Sequence, residues 1–137
     1  MKQTLDFASH PANLSMVRDF VRKFLSSIPF TDLEIDLMIL GIDEACTNII
    51  RYAYHHAHTE PITLTCERND RCVTFRLRDF GTQCDPAKLR ARPLEEVKPG
   101  GLGLHLIKRA FNEIDYVLKD KGTELVLTRF LQPAESK

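Results

Sequence analysis

This sequence has no surplus of charge of either sign. Lysine plus arginine balances aspartate plus glutamate at 19 each, so the formal net charge is zero. A protein that lies along a phosphate backbone usually carries a basic surplus, and the balance here argues against direct contact with nucleic acid. No apolar run approaches the roughly 20 residues that a membrane-spanning helix needs, so no membrane segment is expected. The opening residues, Met1 to Phe7, lack the basic start, apolar stretch and small-residue cleavage site of a signal peptide. A cytoplasmic protein is the expectation. The four cysteines, Cys46, Cys66, Cys72 and Cys84, include no CxxC pair, which removes support for a zinc ribbon or a thioredoxin-like motif. They read as reduced thiols used for packing. Internal repeats, low-complexity tracts and an inter-domain boundary are missing as well. What is present is an ordinary globular balance, 43% apolar and 28% charged over 137 residues, enough for one domain with one core. That domain is expected to span residues 1–137, with a polar tail at 132–137 that frays.

The elements follow from periodicity and punctuation. Gln3 to Ala8 alternate as a short strand. Ser9 or His10 with Pro11 then opens a helix, whose residues Met16, Val17, Phe20, Val21, Phe24 and Leu25 recur at helical spacing. Ser26-Ser27-Ile28-Pro29 breaks it. Thr31 with Glu34 forms a capping-box signature at the start of a second helix. This helix carries Leu33, Ile35, Leu37, Met38, Leu40, Ile42, Ala45, Cys46, Ile49 and Ile50, and is predicted to run to about His56. Being apolar over more than one stripe, it is predicted to be covered by both a sheet and another helix. Ile62 to Glu67 and Cys72 to Arg78 read as a hairpin. A charged, proline-bearing loop from Asp79 to Gly101 follows, then a third helix from Leu104 to about Asn112. Strands at Glu113 to Lys119 and Thr123 to Phe130 close the chain. Grouped helices with grouped strands favour an α+β two-layer sandwich over a doubly wound sheet.

Three segments carry chemistry. Glu44 and Asn48 are four residues apart and share one helix face. They interrupt an apolar region, where a carboxylate and an amide need partners. A magnesium ion with phosphates is one such partner, since Mg²⁺ takes oxygen ligands from a few side chains plus phosphates and water; a plain exposed Glu–Asn pair is the other reading. Asp79-Phe80-Gly81 ends a strand with a carboxylate beside a glycine. That suits the amino group of an adenine approaching the backbone, although an Asp-x-Gly turn alone is a common turn. Gly100-Gly101-Leu102-Gly103-Leu104 precedes an apolar helix, where backbone N–H groups and the helix dipole favour an anion. It is not a Walker A loop, because Leu104-His105 supplies no Lys-Ser/Thr. His55, His56 and His58 crowd the end of the long helix; a metal site is conceivable there, but imidazoles at a helix C-terminus are the plainer reading.

In order and spacing, these three segments resemble the N, G1 and G2 boxes of the GHKL ATPase superfamily. The stretch from Asp43 to Tyr54 is similar to the N box of the anti-sigma serine-protein kinases, and Gly122-Thr123-Glu124-Leu125 resembles their final Gly-Thr segment. The likeness runs from about Leu5 to Phe130. It implies the Bergerat fold with a mixed, mostly antiparallel sheet, and ATP and Mg²⁺ as cofactors. It assigns Asn48 to Mg²⁺, Glu44 to activation of the attacking hydroxyl, and Asp79 to the adenine amino group. Gly81 would allow close approach and Thr123 would add a hydroxyl near the base. Gly101, Gly103 and Leu104 would present amides to the phosphates. Lys98 is a further phosphate candidate, for which a solvated charge is the plainer reading. The resemblance also implies a partner-switching kinase that holds a sigma factor and phosphorylates a serine of a STAS-domain anti-anti-sigma protein. Such kinases are typically homodimers, here expected to pair through the N-terminal strand and helix face. The usual G1 pattern, Asp-x-Gly-x-Gly, is broken by Gln83. That departure leaves open a non-catalytic ATP-binding or partner-binding module acting on a target other than a sigma factor.

Overall fold

The computed structural model describes residues 1–83 and 103–131, Gly103 and Leu104 by their backbone alone. Strand β1 (Lys2–Ala8) leads through a 3-10 turn at Pro11–Asn13 into α1 (Leu14–Leu25). Helix α2 (Asp32–Asn48) passes directly into a π-helical turn, Ile49–Ala53. Strands β2 (Pro61–Arg68) and β3 (Cys72–Arg78), helix α3 (Gly103–Ala110), and strands β4 (Glu113–Leu118) and β5 (Thr123–Phe130) complete the order.

Local chemistry sets the helix starts. His10 Nδ1 accepts from the Ala12 N–H at 3.0 Å, and Pro11 between them has no N–H to satisfy. At α2 the capping box forms in both directions. Thr31 Oγ1 accepts from the Glu34 N–H at 3.1 Å, and Glu34 Oε1 accepts from the Thr31 N–H at 2.8 Å. The second oxygen of Glu34 pairs with Arg129 Nη2 at 3.0 Å, while Arg129 Nη1 donates to the Ala110 carbonyl at 2.9 Å. One carboxylate thus joins the start of α2, the end of α3 and strand β5. The Thr31 N–H and the Arg129 guanidinium hold its carboxyl below the usual range. The stabilisation it gives is therefore present at neutral pH and lost as the pH falls through its folded value.

The sheet has five strands in the order β1-β2-β3-β5-β4. The sequence implied a mixed, mostly antiparallel sheet, and every pairing described is antiparallel. Register places Leu64 opposite Leu77 and Cys66 opposite Phe75, with Phe75 and Leu77 facing Leu127 and Leu125 on the next strand. Alternation puts all of these on one face, where they are buried beneath the helices. The other face carries Thr63, Thr65, Thr74, Arg76 and Glu124, with Arg76 bonded to Glu67 at 2.7 Å. The result is the α+β two-layer arrangement.

Helix α1 buries Val17, Val21, Phe24 and Leu25, and a chain of edge-on rings, Phe24–Phe75–Phe111, spans the core at centroid separations of 6.1 and 5.9 Å. Met16, grouped by spacing with the buried stripe, is exposed. Helix α2 buries Ile35, Met38, Ile39, Ile42, Ala45 and Cys46 between the sheet and α3. The double cover expected of it is therefore present, except that Leu33 (78% exposed) and Leu40 lie outside it. Burial raises both the Cys46 and the Cys66 thiols, the latter to about 12, so both stay protonated as packing groups. The expected run of regular helix to His56 is not observed. Regular α geometry stops at Asn48 and the chain leaves a wider turn through His55 and His56, whose φ values are 52° and 67°.

Gly41 sets how close α3 can lie. A Cβ there would sit 3.0 Å from Phe111 Cε2 and 3.1 Å from Ala110 Cβ. We expect Gly41→Val to destabilise the fold by about 1–3 kcal/mol through overpacking, read as a lower denaturant midpoint with an unchanged slope.

Candidate nucleotide site

The polar residues in the second half of α2 divide into two groups. Asp43 pairs with Arg18 at 2.7 Å, and the Thr47 hydroxyl donates to the Asp43 carbonyl at 3.0 Å. These are satisfied within the protein. Glu44 and Asn48, on their shared face, are not: among the described residues no hydrogen bond or ion pair engages the Glu44 carboxylate. The Asn48 Oδ1 is fully buried without a hydrogen-bond partner. An orphaned buried acceptor costs about 1–3 kcal/mol, and a bound cation is one partner that fits an amide oxygen.

Asn48 stands where α2 changes pitch. A π turn adds a residue to the helical circuit and is often found at functional sites. Here it delivers the Ala53 carbonyl to the end of β3, where the Thr82 N–H donates to it at 2.8 Å. Gly81 is pressed against the same carbonyl, with no room for a Cβ. The proximity that this glycine permits in the structure is thus backbone against backbone. Tyr54 completes the join: its hydroxyl donates to the Pro61 carbonyl at 2.6 Å and accepts from the Phe80 N–H at 2.8 Å. His55 Nε2 lies 2.9 Å from Thr82 Oγ1. His58 packs edge-on against His10 with ring centroids 4.8 Å apart. No group of three metal-ligating side chains occurs among the described residues.

Asp79 is a buried charge, 4% exposed. Its Oδ1 accepts from the Gly81 N–H at 2.9 Å; among the described residues no hydrogen bond engages its other oxygen. Its backbone pairs with Thr123 in both directions, at 3.0 and 3.3 Å. Burial pushes the carboxyl above its ordinary value, opposed by the Gly81 N–H, the Arg78 charge and the Thr123 N–H. A buried carboxylate with an acceptor to spare suits a neutral N–H donor such as an exocyclic amine. Gly122, at φ 76°, lies on the Asp79 carbonyl where a Cβ would collide, which explains the Gly-Thr pair in the sequence.

Helix α3 begins at Gly103. Arg129 binds the Ala110 carbonyl and Glu34 together, so the C-terminal end of α3 is held toward the start of α2. Its N-terminal end accordingly lies toward the Asn48 half. Among the expected site residues, Asp79, Gly81 and Thr123 are thus joined to one another and to the end of the N-box helix through Ala53 and Tyr54. Gly101 and Lys98 lie outside the described residues, as do Cys84 and the tail 132–137, and Leu104 is placed by its backbone alone. Tyr54 and Gly122 hold the site together. The sequence placed them inside the N box and the Gly-Thr segment, but gave neither a role of its own, because the contacts they make are with distant backbone.

A pitch change after Asn48, whose amide oxygen is buried and orphaned among the described residues, and a buried carboxylate joined to a Gly-Thr turn are the features of the chain that bear on its family. The profile of the family described as histidine kinase-like ATPase domain matches residues 7–129. The chain belongs to that family. It is 32% identical over 100 residues to the serine/threonine-protein kinase BtrW of Bordetella bronchiseptica, covering 70% of each chain. It is 28% identical over 128 residues to the serine-protein kinase RsbW of Halalkalibacterium halodurans, covering 89% of this chain and 78% of that one. The fold matches the RsbU and RsbW domains of Rv1364c from Mycobacterium tuberculosis with a TM-score of 0.69 at 19% identity. That match covers 98% of this chain but 34% of the other. The SiaB–SiaC complex of Pseudomonas aeruginosa matches with a TM-score of 0.67 at 17% identity, covering 92% and 88%. The resemblance to anti-sigma serine-protein kinases, and with it the expectation of a protein serine kinase, is borne out. No helix among the described residues is long and apolar enough to cross a membrane.

Because the fold disfavours the ionised form of Asp79, replacing it with the neutral isostere relieves a cost that exists only above the carboxyl's unfolded value. We expect Asp79→Asn to melt at a higher temperature than wild type at pH 7, with a gain that shrinks as the pH falls through the carboxyl's raised folded value and is gone below about 4. The same variant should lose adenine-nucleotide binding.

Proposed function

We propose that the protein is an ATP- and Mg²⁺-dependent serine-protein kinase of a partner-switching pathway. It would phosphorylate a serine on a STAS-domain anti-anti-sigma protein and hold a sigma factor inactive. The observation that carries this reading is the Asn48 Oδ1, buried without a partner one helical turn from Glu44, whose carboxylate is unpaired among the described residues. Asn48 would supply an oxygen ligand to Mg²⁺, whose chemistry at such a site is to neutralise phosphate charge. Asp79 would accept from the adenine amino group with the oxygen that Gly81 leaves open, and Thr123 would place its hydroxyl beside the base. Gly101, Gly103 and Leu104 would offer backbone N–H groups to the phosphates, aided by the dipole at the start of α3.

Phosphoryl transfer needs positioning and charge neutralisation more than covalent help. The serine oxygen forms a bond to the γ-phosphorus as the bond to the ADP oxygen breaks, and the serine proton passes to Glu44 as general base. A carboxylate with no partner among the described residues is available for that proton, whereas Asp43, tied to Arg18, is not. The relatives named above as serine-protein kinases support the activity. A neighbour of the same fold in complex with a second protein supports a protein partner. A homodimer through β1 and α1 belongs to this proposal, with exposed Met16 on α1 as its apolar contact.

Calorimetry of Mg·ATP and Mg·ADP binding tests the site. Wild type should bind both, and Asn48→Ala should lose at least about tenfold in affinity and most of the dependence on magnesium. Glu44→Ala should bind nucleotide like wild type while phosphotransfer to a STAS-domain antagonist drops by about 10²–10⁴-fold. Absence of nucleotide binding by wild type would overturn the proposal in favour of a non-catalytic partner-binding module.

A further inference from the structure

Gln83 stands where the usual G1 pattern has a glycine, and its side chain is fully occupied on the amide side. Its Nε2 donates to the Lys119 carbonyl at 2.5 Å and to the Gly122 carbonyl at 2.7 Å. Both partners are acceptors only, so the amide nitrogen must face them. A second donor grips the same turn from the other side of Asp79: Arg78 Nη1 donates to the Lys121 carbonyl at 2.9 Å and also reaches the Asp79 carbonyl. Its guanidinium lies over the Phe80 ring, 4.1 Å from the centroid. Three of the four carbonyls of the Lys119–Gly122 turn are therefore held by side chains that flank the Asp79–Gly81 segment. The turn's own closure, from the Lys119 N–H to the Gly122 carbonyl at 3.1 Å, shares one of the acceptors that Gln83 uses.

What the turn carries gives this clasp its purpose. Thr123 follows Gly122 directly, and Gly122 rests on the Asp79 carbonyl. Moving the turn would move Thr123 relative to Asp79, the two side chains assigned to the base. We infer that Gln83 is a positioning residue for nucleobase recognition: with Arg78 it clasps the β4–β5 turn over the Asp79 segment and fixes the spacing between Asp79 and Thr123. A glycine at this position cannot reach the turn, so the side chain adds a tie that the usual pattern lacks. A site held in its binding geometry before the ligand arrives loses less freedom on binding. The inference rests on the nucleotide reading above and concerns the base half of the ligand, not the phosphates.

The experiment compares Mg·ADP and Mg·GDP binding by calorimetry for the full chain as wild type, Gln83→Met, Gln83→Glu and Gln83→Lys, with a thermal melt of each. Methionine keeps the length and removes the donor. Glutamate keeps the shape and sets a carboxylate against two carbonyl oxygens, whereas lysine restores a donor that can serve both. We expect wild type to prefer ADP. Gln83→Met and Gln83→Glu should lose about tenfold in ADP affinity with little change for GDP, and Gln83→Lys should recover the ADP preference. A role confined to holding the fold would shift the melts and leave the ADP-to-GDP ratio alone. An unchanged ratio in the methionine and glutamate variants, with wild type binding ADP, would overturn the role of Gln83 and leave the nucleotide reading standing. Failure of wild type to bind ADP would overturn the nucleotide reading, and the base-positioning role with it. Should Gln83→Glu not fold, Gln83→Met decides.

Discussion

Everything at the site depends on where the long helix is allowed to stop being regular. α2 is pinned at its start by the Thr31–Glu34 box and at its middle by the close approach of α3 over Gly41. Neither end of that packing can slide without displacing buried side chains from a close-packed core. With its position fixed, the pitch change after Asn48 decides where the chain emerges, and it emerges with the Ala53 carbonyl directed at the end of β3. Glycine at 81 and the hydroxyl of Tyr54 are consequences of that one placement. Asn48 and Glu44 are then presented from the last regular turns, the Asn48 Oδ1 and the Glu44 carboxylate without a partner among the described residues.

Among the described residues the fold carries an energetic cost at two places, Asn48 and Asp79, both at the candidate site. The Asn48 oxygen is buried without a partner among the described residues, and the Asp79 carboxylate is buried against its preference for water. Elsewhere the chain satisfies such groups carefully. Ser9 donates to the Ala57 carbonyl and accepts from the Glu60 N–H, Asn69 accepts from two backbone N–H groups at the β2–β3 turn, and Arg129 is shared between a carbonyl and a carboxylate. Groups left wanting in a molecule this thorough stand where the proposed nucleotide and cation would complete the structure.

Much of this was legible in the residues. Alternation located β2, β3 and β5, because one face of each packs on the helices while the other meets water. The capping box at Thr31 was readable because both of its bonds are local in sequence. The three boxes were legible as a set, through order and spacing, although each alone has a commonplace reading. Features that depend on tertiary fit were not. Leu33 and Leu40 match the apolar spacing of α2 yet face outward, since the helix surface is wider than the cover available to it. The π turn leaves no trace in Ile49–Ala53, whose composition is that of any helix end. The reach of Gln83 to a turn some forty positions away could not be read from a residue that only marked a departure from a pattern.

Glu34 shows how closely distant parts of this chain are bound together. One of its oxygens completes a local helix start and the other meets an arginine 95 positions along. A change at Thr31 would therefore alter what Arg129 is worth, and a change at Arg129 would alter what the cap is worth. Substitutions at the three positions should therefore not add, since each removes a partner that the others use. The start of the long helix and the last strand form, in that respect, one energetic unit.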